Sequence, residues 1–191
     1  MKSGIVLATL CAVLVSPATA SASSEVPLQP TSLETFVGRP TARIVWAKPA
    51  GRVDSAQARV LVTTFVVEDA VEPAQRMRGA RIDLVDGRTT ERVYLDESSL
   101  EPVMNALNVI DGEIAWYRAT PDATPYRCLG AGEFWHPDVR LHTLNAAYCI
   151  TPSYSEFVLS AYTAPQFRLP DRRPAELANL LSHAIADLKN S

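Results

Sequence analysis

The sequence has only three cysteines, and past its first 22 residues it has no long apolar run. It also shows no glycine-rich phosphate loop, no G-x-S-x-G elbow and no tight His/Cys cluster. Each absence narrows the field. A missing elbow leaves an α/β-hydrolase nucleophile unsupported. Without about 20 consecutive apolar residues, no later segment can span a membrane as a helix. The longest such stretch beyond the leader is a few residues, as around Val66-Val67. Eighteen Lys and Arg against 21 Asp and Glu give a formal net charge of −3. Nucleic-acid binders carry a strongly basic footprint, so nucleic acid is not an expected partner.

What the first 22 residues do contain is an export signal. Lys2 supplies a positive start, Gly4 to Val15 form a short apolar core, and Ser16-Pro17 break it. Ala18-Thr19-Ala20-Ser21-Ala22 then offers small residues at alternate positions. These are the three parts of a cleavable secretory signal, with cleavage near Ala20 or Ala22. An apolar run of this length is too short for a spanning anchor. Cys11 is preceded by Leu10 and followed by more apolar residues, so it reads as leader filler and not as a lipidation site. The mature chain is expected in the periplasm or the medium. Losing Lys2 takes its formal charge from −3 to −4. Residues 23–40, rich in Ser, Pro and Thr, read as a flexible lead-in, and 41–191 as one domain large enough to bury a core.

Cleavage leaves two cysteines, Cys128 and Cys149, and in an oxidising compartment an even count favours a disulfide. The midpoint between them falls in His136-Pro137-Asp138-Val139-Arg140, which carries good turn residues. A four-residue loop, Pro137 to Arg140, pairs His136 with Leu141 and, counting outward, Cys128 with Cys149. Gly130 and Gly132 are where a bulge would shift that register. A closed loop of this length is worth about 3 kcal/mol in the chain-entropy model.

The rest of the chain reads as strands and two helices. Ala42–Ala47 is a strand ended by Lys48-Pro49-Ala50-Gly51, and Arg59–Val67 is apolar on both faces, as in a covered central strand. Ala80–Val85 and Arg88–Leu95 flank Asp86-Gly87, a hairpin signal, with Ile82 and Leu84 on one face and Asp83 on the other. Ser98-Ser99-Leu100-Glu101 matches a capping box, with Pro102 in the first turn. Leu100, Val103, Leu107, Ile110 and Ile114 make a buried helical stripe. After the cysteine hairpin and a strand over 156–162 comes a C-terminal helix. Its stripe is Leu177, Leu180, Leu181, Ala184, Ile185 and Leu188, with Pro174 near its start. The expected fold is α+β: a mostly antiparallel sheet, order ββββα-βββα, with two amphipathic helices packed on it.

The richest polar patch is Glu133, His136, Asp138, Arg140 and His142. On one straight strand its last four members would share a face, and two His with a carboxylate could hold Zn²⁺. The turn at Pro137–Arg140 breaks that phase and sends His136 and His142 to opposite faces, so no metal and no cofactor is expected. Glu133 with Asp138 reads as a solvated carboxylate pair. Trp135, Arg140 and Tyr154 fit a recognition surface, because Trp, Tyr and Arg are enriched at binding hot spots. The leading reading is an exported binding or inhibitor-type module with a stapled hairpin, meeting another exported protein or an envelope component. A hydrolase or metal-dependent enzyme using Glu133, His136, Asp138 and His142 is the alternative. A structural envelope protein is the third.

Overall fold

The computed structural model describes residues 30–56, 58–120, 127–129, 144–151, 154–161, 167–170 and 173–191. The fold is α+β. In chain order its elements are α1 (Ser32–Val37), β1 (Ala42–Asp54), β2 (Arg59–Asp69), β3 (Arg76–Val85), β4 (Thr90–Asp96), α2 (Glu97–Ala119), β5 (Arg127–Leu129), β6 (Leu144–Thr151), β7 (Tyr154–Ala161), β8 (Phe167–Pro170) and α3 (Arg173–Lys189). The strands form two antiparallel meanders, β1-β2-β3-β4 and β5-β6-β7-β8.

Side chains alternate across a strand, so each sheet has two faces of different character. On the inner face of the first sheet stand Val53, Val60, Val62, Ala80, Ile82, Leu84, Val93 and Leu95, all buried. They pack on the stripes of α2 (Leu100, Val103, Leu107, Ile110, Ile114) and α3 (Leu177, Leu181, Ala184, Leu188). Leu144 of β6 and Leu159 of β7 join the same core, tying the second sheet to the first. Thr64 is the buried polar group of this face, and its hydroxyl donates to the Lys48 carbonyl at 2.8 Å.

Beyond shifts of one or two residues at the ends of β2, β4 and β7, the bounds differ from the sequence reading in four places. First, β1 does not stop at Lys48-Pro49-Ala50-Gly51 but runs on to Asp54 through register shifts at Ile44/Trp46 and Pro49/Gly51. As an edge strand it tolerates Pro49, and such bulges bend the edge away from further pairing. Gly51 carries φ +142° at the second shift, and a Cβ there would stand 2.6 Å from Leu180 Cδ2 of α3. Second, β3 begins at Arg76, four residues before the strand read from Ala80. Third, α2 starts at Glu97, directly after β4, so Pro102 lies in its second turn. Fourth, Phe167–Pro170 adds a strand, β8, paired with β7 in the run-up to α3.

Within the lead-in 23–40, residues Ser32–Val37 form α1. Composition misleads there because the helix is held by tertiary partners. The Thr31 hydroxyl accepts from the Glu34 N–H and donates to the Tyr94 carbonyl, and Asp96 Oδ1 accepts from the Leu33 N–H at 2.7 Å. Leu33 and Phe36 then bury against Phe65 and Val67 on the outer face of the first sheet. Gly79 makes room: a Cβ there would collide with the Leu95 carbonyl and stand 2.6 Å from Leu33 Cδ2. Gly79→Ala is therefore expected to cost about 2–3 kcal/mol by overpacking, read as a lower urea midpoint at an unchanged slope.

Candidate functional site

α1 covers one end of the outer face of the first sheet. The other end presents three rows, each crossing β1 to β4: Pro49–Thr63–Arg81–Tyr94, Arg52–Leu61–Asp83–Arg92 and Asp54–Arg59–Val85–Thr90. Pro49, Arg52, Arg59, Thr90 and Arg92 are exposed. Neighbouring strands lie about 4.8 Å apart, so a row spans about 14 Å.

Two carboxylates organise this surface, and each is held by two arginines in the same way. Asp54 takes Arg52 Nε on Oδ2 at 2.8 Å and Arg59 Nε on Oδ1 at 2.6 Å. Asp83 takes Arg81 Nε on Oδ2 and Arg92 Nε on Oδ1, both at 2.9 Å. In each clamp one arginine lies two residues before the aspartate on the same strand. The other stands directly opposite it on the next strand. The hydrogen bond from Arg59, with the nearby Arg52 charge, holds the Asp54 carboxyl below its usual range. The bond to Asp83 holds the Arg92 guanidinium charged still more firmly than usual.

The two clamps differ in burial. The Asp83 side chain is 11 % exposed, whereas the Asp54 side chain is 44 % exposed. The guanidinium side chains of Arg52, Arg59 and Arg92 are 64 %, 52 % and 51 % exposed. Guanidinium has five N–H donors, of which an Nε contact uses one, and Arg92 also interacts with the Tyr94 side chain. A solvated sheet face ordinarily alternates charges of both signs across strands. Here four arginines meet two aspartates, leaving two positive charges in excess on a chain whose formal net charge is −3.

The residues singled out from sequence fall elsewhere. Glu133, Trp135, His136, Asp138, Arg140 and His142 lie outside the described residues. Tyr154 opens β7. Cys128 and Cys149 stand directly opposite each other in the β5–β6 ladder, flanked by Arg127↔Ile150 and Leu129↔Tyr148. This is the register counted from the turn. Trp46 packs half-buried against the core, and Trp116 on α2 is exposed. His183 is exposed on α3. Among the described residues, no group of three or more His, Cys, Asp or Glu is placed to hold a metal, and no helix is long and apolar enough to cross a membrane.

Sequence reasoning missed the clamps, although a signal existed. Arg52-Val53-Asp54 and Arg81-Ile82-Asp83 repeat one pattern, Arg-apolar-Asp, which on a strand puts both charges on one face. No protein-family model matches the chain, and no match is found among curated proteins.

The clamps' unequal burial separates their energetics. Asp83→Ala leaves two guanidinium groups without their acceptor beside a largely buried position and is expected to cost about 1–2 kcal/mol. Asp54→Ala, in the solvent-exposed clamp, is expected to leave the urea midpoint unchanged. Equal midpoints for the two variants would count against this account.

Proposed function

We propose that this chain is an exported binding module, and that its recognition surface is the open half of the outer face of the first sheet. The observation that carries the reading is the paired arginine clamps: four guanidinium groups held in fixed places on a rigid sheet, with positive charge left over. Sites built on strands hold geometry better than sites on loops. Arginine is enriched in protein–protein interfaces, where lysine is depleted. The chain carries 15 Arg and 3 Lys, and this face has no lysine.

Export is supported by the leader and by the cysteine register. Directly opposed residues of an antiparallel pair have Cα atoms about 4.5 or 5.5 Å apart, depending on their hydrogen-bonding position. Both values lie inside the range a disulfide spans without backbone movement. The proposed Cys128–Cys149 bond forms by exchange with a disulfide donor of the export compartment. Two thiols lose two protons and two electrons, and the donor disulfide is reduced to two thiols. Such a bond would also fasten β5, a three-residue edge strand that short ladder pairing holds weakly.

Two measurements check this reading. A photo-crosslinking residue at Thr90, on the open face, is expected to capture a discrete partner in the exported fraction. The same residue at Asn105 on the far side of α2 is not. Capture that is absent at 90, or identical at both positions, removes the case for the surface. Separately, the denatured exported protein is expected to titrate no thiol before reduction and two after. Its mass should lie two hydrogens below the reduced form, and reduction should cost about 3 kcal/mol of stability. Two free thiols in unreduced material would refute the bond.

A further inference from the structure

We infer that the partner of this face is an acidic polypeptide segment that lies extended along the strands, an inference that rests on the binding-module reading above. Three features of the face select that occupant. The first is charge: the excess of two positive charges stands on guanidinium groups, whose planar fork matches a carboxylate bidentately. The second is spacing. Successive rows on one face of a sheet are about 7 Å apart, the repeat of alternate residues in an extended chain. Each of the three rows carries at least one guanidinium: Arg81 in the first, Arg52 and Arg92 in the second, Arg59 in the third. An extended peptide with a carboxylate at every second residue therefore meets one arginine row after another. The third is the ground between the charges. Half-buried Leu61 and Val85, half-buried Tyr94 and exposed Pro49 offer apolar contact to the intervening side chains of a peptide. A purely anionic polymer would leave that contact unused.

The carboxylates inside the clamps do not oppose this. Each aspartate neutralises one of its two arginines and fixes the direction of both, so every clamp keeps one positive charge on a preorganised pair. Preorganisation lowers the ordering cost that binding otherwise carries. Surface charges of this kind are screened by salt over about 8 Å at physiological ionic strength, so the interaction weakens as salt rises.

The test titrates the isotopically labelled mature protein with a short synthetic peptide of alternating Glu and Tyr, following backbone amides by NMR at low and at physiological salt. The peptide is expected to bind saturably and to shift amides of the three rows while leaving those of α2 and α3 in place. The triple variant Arg52→Gln/Asp54→Asn/Arg59→Gln removes one clamp without stranding a charge. It should keep the fold and weaken binding about tenfold, equivalent to about 1.4 kcal/mol. A peptide with Gln in place of Glu should not bind. No shifts with the acidic peptide, or equal binding by the Gln peptide, would overturn the inference. So would equal or tighter binding of inorganic polyphosphate at the same amides. Self-association of the free protein that the triple variant abolishes would assign the face to a second copy and also overturn it. A Thr90 crosslink that survives both high salt and the triple variant would leave the binding-module reading standing while this inference fails.

Discussion

The structure depends on burying one face of β2 and β3 against α2 and α3. Val60, Val62, Ile82 and Leu84 are fully buried there, together with the helical stripes they meet. Each such side chain contributes about 1.5–3 kcal/mol on leaving water, so four of them rival the whole net stability of a typical domain. Exposed ion pairs contribute about 0–1 kcal/mol each. The ordering is therefore clear: the fold holds the arginine clamps in place, and the exposed clamp adds little to the fold. Because strands alternate strictly, committing Ile82 and Leu84 inward commits Arg81 and Asp83 outward. A slip of one residue would put both charges into the apolar core.

The same burial joins the second sheet to the first. Leu144 and Leu159 enter the shared core from β6 and β7, the inner strands of that sheet, while β5 and β8 are short edges of three and four residues. Short edges gain little from their own ladders. β8 is followed closely by α3, which packs on α2 and the first sheet. β5 sits at the opposite edge, and there the register places two cysteines face to face. A covalent bridge at that point would act where non-covalent support is weakest, which gives the proposed disulfide a local structural role as well as an entropic one.

How much of this was legible follows from the kind of signal each part carries. Periodic apolar patterns announced α2, α3, β3 and β4, because burial itself makes the pattern, whereas β1 was read from apolar residues such as Ile44 and Val45 that stand exposed. The cysteine register was countable because both its limits, the turn and the two cysteines, are marked by residue type. α1 was not legible. Its six residues are too few for a period, and what holds them is the Asp96 carboxylate and a gap above Gly79, far off in sequence. The clamps failed for a subtler reason. Asp86-Gly87 suggested a two-residue turn, which would set Asp83 opposite Thr90. The actual turn spans Asp86 to Thr89: the Asp86 carboxylate accepts from the Arg88 and Thr89 N–H groups, and Gly87 supplies φ +85°. That change of two residues keeps every side chain on its face, so the core is indifferent to it. It is also what brings Arg92 opposite Asp83.

The indifference of the core has a consequence for how the surface is specified. Hydrophobic patterning chooses the face on which a residue stands but not its neighbour across the strand, since a shift of two preserves the alternation. The neighbour is set by the turn. In the Asp83 clamp the local chemistry of four residues, Asp86 to Thr89, decides which arginine meets the aspartate. In the Asp54 clamp the tight reversal from β1 to β2 does the same, with the Ser55 hydroxyl and amide both bonded to the Ala58 carbonyl and the Ala58 amide bonded back to the Ser55 hydroxyl. The two clamps thus owe their position to the core and their composition to their turns. Arginine orientation on this face is set by the ion pairs with Asp54 and Asp83, whose side chains stand outside the apolar core. The pairs stand in the free chain, so the proposed binding would not have to order those side chains again.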